Sequence, residues 1–581
     1  MKEQPKGMNF QGRILRRLLA YLSPYRSSLA GGMALMVLVS LLELAGPKII
    51  QLAIDEHIVG RRPGLTNLAI IYIILHGCLW MGNYYQVRLT ATAAQRALYD
   101  LRRAVFTKLQ RLPLSFYDGE KTGRIITRAT GDMEALHQFL NNGVLSLVND
   151  LLILFGVIFI MLATSRRLSL YVFLTLPLLV FIASYLRRGV FTAYREVRRR
   201  AGELNGRLQE DLNGMRIIQA FDRGKLNEEE FEGYNYAHFQ AHRRAVVYHA
   251  LFFPAVELTG TLAVVLILGI GGSMVARGEL TIGALYLFLS YLTRFFQPIR
   301  NLSNLVAQSQ QAMAGAERIF QILDTPADDP GPPGHRPITG RVRFQGVTFG
   351  YDPQRPVLKD ISFTVQPGQR VAIVGPTGAG KTSLINLLAR FYRPQEGTIY
   401  IDEHDLNDYS LASLRSQMSL VLQEPFIFDG TIGENIAYGR PGADQAAVEG
   451  AAQVVLAHQF ITRLPQGYQT RVFERGVRLS LGQRQLIAFA RAVLVDPQIL
   501  ILDEATSSVD IHTEALIQGA LENLLANRTS FIVAHRLSTI RNADLILVLD
   551  EGRIVEMGSH RELVARGGLY KELYGLQGGR K

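Results

Sequence analysis

Long apolar stretches dominate the first half of the chain and are separated by links of very unequal length. Six stretches are long enough to cross a bilayer, which takes about 20 mostly apolar residues, and they lie near residues 28–50, 66–87, 144–164, 168–187, 248–271 and 280–299. The links 88–143 and 188–247 are long, Arg-rich and helical in pattern, whereas the others are short. Because Lys and Arg collect on the cytoplasmic side of membrane proteins, the pattern predicts six spans, with the long links and both termini in the cytoplasm.

Three shorter features complete the first half. Arginines at 13, 16 and 17 alternate with apolar residues, a pattern typical of an amphipathic helix on a membrane surface, so residues 1–27 are predicted to form such a helix. The segments Pro113–Thr122 and Asn213–Phe221 carry Pro or Gly beside apolar residues within the two long links. Each predicts a short crosswise helix at the tip of its link.

The pattern changes after residues 324–338, which are rich in Pro, Gly and Asp and predict a linker. Beyond it, helical runs alternate with short β-type runs, which include Val342–Phe344, Arg370–Val374, Ile499–Leu502, Ser530–Val533 and Leu545–Leu549. This alternation predicts an α/β domain with a largely parallel core sheet over residues 339–581. Residues 28–323 are then the transmembrane domain.

The charge and the cysteine content narrow the functional classes. The net charge of +12 is compatible with nucleic acid, a membrane surface or the orientation of a membrane protein. The basic residues crowd 2–26, 88–128 and 187–244, which flank the apolar runs, so orientation is the better interpretation and no nucleic acid is expected as a partner. The single cysteine, Cys78, excludes an internal disulfide and a thiolate zinc cluster.

A phosphate-binding loop stands between a β-type run and a helical run. Its residues are Gly375, Pro376, Thr377, Gly378, Ala379, Gly380, Lys381 and Thr382, followed by Ser383. The glycines let backbone N–H groups converge on phosphates, and the helix N-terminus adds its dipole. Lys381 is expected to reach the β- and γ-phosphates of ATP, and the Thr382 hydroxyl to coordinate Mg²⁺. The fold class is therefore an α-helical six-span transmembrane domain fused to an α/β P-loop nucleotide-binding domain.

Two adjacent carboxylates follow the apolar run Ile499–Leu502. At the carboxyl end of a buried parallel strand, carboxylates point toward the ligand edge of the sheet. Asp503 fits the Mg²⁺ shell, and Glu504 fits the base that polarises the attacking water. A solvated strand end is the alternative when the pair is considered alone, and the phosphate loop makes the catalytic interpretation the stronger one.

The segment Leu479-Ser-Leu-Gly-Gln483 resembles the signature sequence of ATP-binding-cassette transporters. The order of phosphate loop, Gln423, signature, acidic strand end, Asp510 and His535 also resembles that family, and six spans ahead of one cassette resemble its half-exporters. The resemblance implies the following roles: Tyr351 stacks on adenine, Gln423 touches Mg²⁺, His535 contacts the γ-phosphate and Asp510 lies in a loop that crosses to the partner cassette. It also implies that Ser480, Gly482 and Gln483 face the ATP of a second cassette, so that the working unit is a dimer.

Leu481 departs from the family pattern, which has Gly at that position. Leu is bulkier than Gly and does not share its freedom to adopt positive φ, so phosphate contact is expected to weaken. By resemblance, an intact Glu504 with an imperfect signature is typical of the competent half of an asymmetric heterodimer. A heterodimer is favoured, and a homodimeric exporter or lipid flippase is the alternative.

The cargo is encoded less clearly than the nucleotide site. Ionisable residues inside spans are costly and usually face a cavity or a partner helix, which makes Glu43, Asp150 and Glu257 candidates for the substrate path. Carboxylates beside aromatics would suit lipophilic cations, although ion pairing inside the bundle explains them equally well. The prediction is export of an amphipathic or lipophilic molecule, drug-like or lipid, across the cytoplasmic (inner) membrane, with membrane lipid as a further partner. An ATP-gated channel is the alternative from another class.

Overall fold

The computed structural model describes residues 8–503, 511–534 and 537–578. The chain divides into two compact units. The first comprises Met1–Gln110 and Gly123–Thr325, and the second comprises Arg111–Thr122 and Pro326–Lys581. The tip of the first long link therefore belongs to the second unit, although it is far from the rest of that unit in sequence.

The N-terminal half of the chain is helical. In chain order its helices are α1 (Met8–Leu22), α2 (Arg26–Leu52), α3 (Leu65–Leu109), α4 (Leu114–Gly119), α5 (Thr122–Ala129), α6 (Gly131–Gln138), α7 (Val144–Thr164), α8 (Arg166–Phe173), α9 (Thr175–Asn213), α10 (Met215–Ala220), α11 (Gly224–Leu266), α12 (Gly272–Ala276) and α13 (Ile282–Asp324), with π-helical segments at Ala53–Val59, Phe139–Gly143 and Ile267–Gly271. Short helices are present in both segments where crosswise helices are predicted, namely α4 and α10.

Within the described residues, five helical stretches are long and apolar enough to cross a membrane: Gly12–Val59, Leu65–Leu109, Thr122–Thr164, Arg166–Asn213 and Glu257–Ala276. The sixth predicted span falls in α13, so the count of six stays a prediction. The apolar core of this unit joins α2, α7, α8 and α13, and the buried hydroxyl of Tyr291 donates to the carbonyl oxygen of Leu44 within it. This bond ties α13 to α2.

Helix α1 lies within residues 1–27, the segment predicted to form an amphipathic helix on the membrane surface. Ile14 and Leu18 are buried, whereas Arg13 and Arg16 are exposed. Arg17 donates two hydrogen bonds, of 2.6 and 2.8 Å, to the carboxylate of Asp324 at the end of α13. The guanidinium holds the pKa of Asp324 below its usual value, mainly through these bonds. The helix is thus fastened to the last residue of the long helix before the linker.

The second unit is α/β. Its strands are β1 (Val342–Phe349), β2 (Leu358–Val365), β3 (Arg370–Val374), β4 (Glu396–Ile401), β5 (His404–Asp405), β6 (Met418–Val421), β7 (Gly430–Thr431), β8 (Arg471–Val472), β9 (Ile499–Asp503), β10 (Thr529–Val533), β11 (Leu545–Asp550) and β12 (Arg553–Gly558). Its remaining helices are α14 (Lys381–Leu388), α15 (Leu411–Arg415), α16 (Ile432–Ala437), α17 (Gln445–Val454), α18 (His458–Ile461), α19 (Leu481–Val495), α20 (Ile511–Leu525), α21 (Leu537–Arg541), α22 (His560–Arg566) and α23 (Leu569–Gly578).

The main sheet has six strands in the order β12-β11-β3-β10-β9-β6, parallel except for β12. Successive residues of β3 enter different apolar cores: Val371 and Ile373 join one, and Ala372 and Val374 join the other. A strand covered on both faces reads as a continuous apolar run, which is why the sequence pattern predicts β3, β9, β10 and β11. The other predicted strand, Val342–Phe344, is the start of β1. A four-stranded antiparallel sheet, β2-β1-β4-β5, packs in the same unit.

Candidate functional site

The loop between β3 and α14 requires glycine at two positions. Gly375 has φ +155°, and a Cβ there would lie 2.2 Å from the carbonyl oxygen of Leu549. Gly380, the residue before α14, has φ +100°, and a Cβ there would lie 2.7 Å from Cδ2 of Leu358. L-residues rarely adopt such angles, and neither position has room for a side chain. The loop thus presents backbone N–H groups and a helix N-terminus to one point, as an anion cradle does.

Lys381 lies against this loop and is only 9% exposed. Its Nζ donates to the carbonyl oxygens of Gly375 at 2.8 Å and Pro376 at 2.9 Å. Burial lowers the pKa of Lys381, and the charge of Asp503 acts in the opposite direction. The lysine after β3 and the carboxylate at the end of β9 are therefore within electrostatic reach of each other, although 122 positions separate them in sequence. Both lie at the carboxyl edge of the parallel sheet, where ligands bind.

The predicted Mg²⁺ donors are oxygen atoms at this edge. Thr382 is exposed at the start of α14, Gln423 is exposed after β6, and Asp503 is half-buried at the end of β9. Among the described residues, no three His, Cys, Asp or Glu side chains gather as a metal cage. One carboxylate, one hydroxyl and one amide fit a hard cation that also takes oxygens from a phosphate group.

Tyr351 is held by two other aromatic rings and two polar side chains. Its ring is 51% exposed and meets Phe349 and Tyr392 edge-on, with centroid distances of 5.1 and 5.0 Å. Its hydroxyl accepts hydrogen bonds of 3.2 Å from Oγ of Ser383 and from Nδ2 of Asn386. The tyrosine is therefore oriented beside the phosphate loop with an accessible ring, which suits stacking on a flat base.

Tyr392 joins this aromatic cluster to α4. Its hydroxyl donates a hydrogen bond to the carboxylate of Asp118, and the backbone N–H of Asp328 donates to the carbonyl of Arg111 at 2.8 Å, so the same segment is held at two points. Burial and the nearby carboxylate raise the pKa of Tyr392. Tyr392 was not predicted from the sequence, because Tyr392 and Asp118 are 274 positions apart and no local pattern pairs them.

The signature segment forms the N-terminus of α19. Ser480 is its N-cap: the Ser480 hydroxyl accepts from the backbone N–H of Gln483 at 3.2 Å, and Oε1 of Gln483 accepts from the backbone N–H of Ser480 at 3.0 Å. Ser480 is exposed, Gly482 is buried, and Leu481 is the first helical residue. The backbone φ of Leu481 is not positive. A glycine at this position would therefore differ from Leu481 in side-chain bulk and not in a backbone angle that only glycine adopts readily.

Arg491 is a second residue that the sequence analysis missed. Its guanidinium donates to the carbonyl oxygens of Asn435 at 2.8 Å and Phe426 at 3.2 Å, and it lies over the ring of Tyr438 at 5.4 Å. Burial lowers its pKa. It connects α19 to the segment that follows Gln423. The arginine stands in a run of apolar helix residues, which gave no signal of its partners.

Glu504, Asp510 and His535 lie outside the described residues. The candidate substrate-path carboxylates are in the first unit: Asp150 accepts a hydrogen bond of 3.2 Å from Asn301, Glu43 is half-buried, and Glu257 is exposed. The first unit also contains a cavity of about 820 Å³ between α2, α7 and the start of α13, and none of these three carboxylates lines it.

Two family models match the chain. Residues 29–299 match the ABC transporter transmembrane region, and residues 358–507 match the ABC transporter model. The chain belongs to the ABC transporter family. It is 42% identical to the uncharacterized ABC transporter ATP-binding protein YknV of Bacillus subtilis, over 97% of this chain and 94% of that protein.

Two further likenesses concern function and architecture. The fatty acid ABC transporter ATP-binding/permease protein of Mycobacterium tuberculosis is 42% identical over 84% of this chain and 78% of its own length. A solved structure of a bacterial Atm1-family ABC exporter with ATP bound matches with a TM-score of 0.78 and 31% identity, over 96% of this chain and 99% of that one. This ABC transporter is accordingly an ATP-hydrolysing, multi-pass membrane protein of the exporter type, with its cassette in the cytoplasm.

Proposed function

We propose that this ABC transporter is one half of a dimeric exporter that moves an amphipathic or lipophilic molecule, lipid or drug-like, across the cytoplasmic membrane by alternating access. The observation that carries the proposal is the convergence of the glycine cradle, Lys381 and Asp503 at one sheet edge, in a chain that also has membrane-spanning helices. The name of the mycobacterial relative supports a lipid as cargo.

Different residues of the cassette bind ATP, hold Mg²⁺ and activate the attacking water. The backbone from Gly375 to Gly380 holds the phosphates, Lys381 neutralises the β- and γ-phosphates, and the ring of Tyr351 stacks on adenine. Thr382, Gln423 and Asp503 would hold Mg²⁺, which neutralises charge that develops on the phosphate oxygens. Glu504 polarises the attacking water, and His535 contacts the γ-phosphate; both roles are carried over from the family resemblance.

The second cassette completes each site. Ser480, Gly482 and Gln483 stand at the N-terminus of a 15-residue helix, a place suited to a γ-phosphate, and we assign them to the nucleotide held by the partner. By the same family resemblance, we assign Asp510 to a loop that crosses to that partner. Leu481 favours a heterodimer in which this chain supplies the intact Glu504, with a homodimer as the alternative.

Transport into inside-out vesicles tests the proposal. Vesicles that hold the purified complex are expected to accumulate a fluorescent amphiphile only with ATP and Mg²⁺. Glu504→Gln is expected to lower ATP hydrolysis by about 10² or more, because a positioned base contributes that much, while ATP binding persists. Full turnover by Glu504→Gln would overturn the assigned chemistry. Passive conductance that ATP merely opens would identify a channel and not a pump.

A further inference from the structure

A cavity of about 820 Å³ lies in the first unit between α2, α7 and the start of α13. That volume is within the range of small-molecule sites, about 300–1,000 Å³. Most of its wall is apolar, contributed by residues that include Leu41, Leu44, Phe159, Ile160 and Ala163. Polar side chains line it as well, namely Lys48, Gln51, Glu279 and Thr281. The cavity is amphipathic.

Lys48 carries a charge near the C-terminal end of α2, four residues before Leu52. It is exposed. Its Nζ donates to Oε1 of Gln51 at 2.8 Å, and no carboxylate of the described residues lies within ion-pair distance of it. Near the end of a span, a lysine can lay its stem along apolar surface while its ammonium stays toward water. Lys48 is therefore an accessible cation at the edge of the apolar wall, where a ligand in the cavity can reach it.

The carboxylates near this end of the cavity have other partners. Glu279 lies 3.6 Å from Arg167 and 3.9 Å from Arg277. Asp55 accepts hydrogen bonds of 2.7 Å from the Thr281 hydroxyl and from the backbone N–H of Gly283, which fixes it at the start of α13. The charge that the described residues leave uncompensated in the cavity is the ammonium of Lys48.

The apolar wall runs along the helices away from Lys48. Leu41, Leu44 and Lys48 are spaced three and four residues apart, which places them on one face of α2. From Leu41 to Lys48 the helix rises about 10 Å, at about 1.5 Å per residue. The side chains of Leu41 and Phe159 are 59% and 73% exposed, so the wall is accessible. A head group at Lys48 would leave an acyl chain lying along this wall.

We infer that the cavity binds an amphiphile with an acyl chain and an anionic head, with the head at Lys48 and the chain against α2 and α7. The inference rests on the proposed export function and names its substrate class. The inferred ligand is an anion, whereas Glu43, Asp150 and Glu257 would suit lipophilic cations. None of these three carboxylates lines the cavity.

Binding of two amphiphiles with equal chain length and opposite charge tests the inference. The complex is placed in phosphatidylcholine nanodiscs, and binding of dodecanoate is compared with binding of dodecyltrimethylammonium. We expect dodecanoate to bind about tenfold more tightly or better, and Lys48→Gln to remove that preference. Ala163→Phe, which adds bulk to the apolar wall and keeps Lys48, is expected to weaken both ligands. Equal affinities in the wild type, or an unchanged preference in Lys48→Gln, would overturn the inference.

Two controls separate the alternatives. Arg62→Gln removes an exposed cation that pairs with Glu56 at 3.7 Å and does not line the cavity, so it should leave the preference intact. Phosphatidylglycerol nanodiscs test whether a resident anionic lipid is the occupant: undiminished dodecanoate binding supports a transported ligand, and its loss overturns the assignment as a substrate site. Failure of the export function would differ, because wild-type vesicles would then accumulate no amphiphile of either charge with ATP.

Discussion

The hydroxyl of Tyr392 donates a hydrogen bond to the carboxylate of Asp118, while the ring of Tyr392 meets Tyr351 edge-on at 5.0 Å. One side chain thus contacts both α4, at the tip of the first long link, and the aromatic residue beside the phosphate loop. Edge-on ring pairs and hydrogen bonds are both directional. A shift of Tyr351 on nucleotide binding would therefore change the position of α4 through Tyr392.

Tyr392→Phe removes the hydroxyl and keeps the ring. Loss of a hydrogen bond worth about 1 kcal/mol, and more to a charged acceptor, is expected to lower transport per ATP hydrolysed about fivefold or more, with ATP hydrolysis itself close to wild type. Both rates are measured on the same proteoliposomes. Tyr400→Phe is the matched control, since Tyr400 lies on β4 and its ring packs under the guanidinium of Arg343 on β1.

A double-mutant cycle decides whether the two residues act as a pair. Asp118→Ala should reproduce the defect of Tyr392→Phe, and the double variant should be no worse than either, because interacting residues are non-additive. Additive losses would mean that the bond between Tyr392 and Asp118 carries no coupling.

Lys381→Met is expected to separate stability from ATP binding. Burial lowers the pKa of Lys381, so its charge is disfavoured in the folded, nucleotide-free protein. This cost is present below the pKa of Lys381 in the folded state and disappears above its pKa in the unfolded state, about 10.4. The variant is expected to unfold at an equal or higher temperature without ATP at neutral pH, and to lose the stabilisation that ATP gives.

Thermal unfolding with and without ATP checks this outcome at pH 7.5 and again at pH 10.5. The advantage of the methionine variant should be smaller at the higher pH. A variant that unfolds well below wild type at pH 7.5 without ATP would show that the ammonium stabilises the loop through Gly375 and Pro376.

Gly380→Ala tests the geometry of the phosphate loop. The added Cβ meets Leu358 at 2.7 Å, in a backbone conformation with φ +100°. We expect a loss of at least about 1 kcal/mol of unfolding free energy, the scale of left-handed strain, together with weaker ATP binding. Gly450→Ala is the control: it lies inside α17 with open space around its Cβ, so it should be neutral or slightly stabilising. Equal effects of both changes would contradict the cradle.

The parts that the sequence predicted are those with local patterns. β3 begins and ends at the predicted residues, and α4 and α10 lie at the predicted link tips, because apolar runs and Pro or Gly interruptions act on neighbouring residues. The pairing of Tyr392 with Asp118 and the contacts of Arg491 depend on tertiary structure, which no local spacing encodes. Lys48 was overlooked because a single cation in an apolar run carries no sign of the cavity beside it.

Leu481 allows a test of the subunit arrangement. It is the first residue of α19 and has helical backbone angles, so the positive φ that glycine permits is not used there. The difference from glycine is therefore the bulky side chain of Leu481, which stands next to Ser480 at the surface assigned to the partner's γ-phosphate. In a heterodimer this weakened surface would face only the partner's nucleotide, whereas a forced dimer of this chain alone would carry it at both sites.

The chain expressed alone is therefore expected to hydrolyse ATP slowly, and Leu481→Gly to raise that rate about tenfold, equivalent to about 1.4 kcal/mol. Because bulk and not φ is responsible, Leu481→Ala should recover most of the gain, with less cost to α19 than glycine. Mass measurement of the purified complex, with ATP hydrolysis and vesicle transport, checks the outcome. A wild-type homodimer that already transports at full rate, and that neither substitution improves, would show that Leu481 is tolerated in a symmetric exporter.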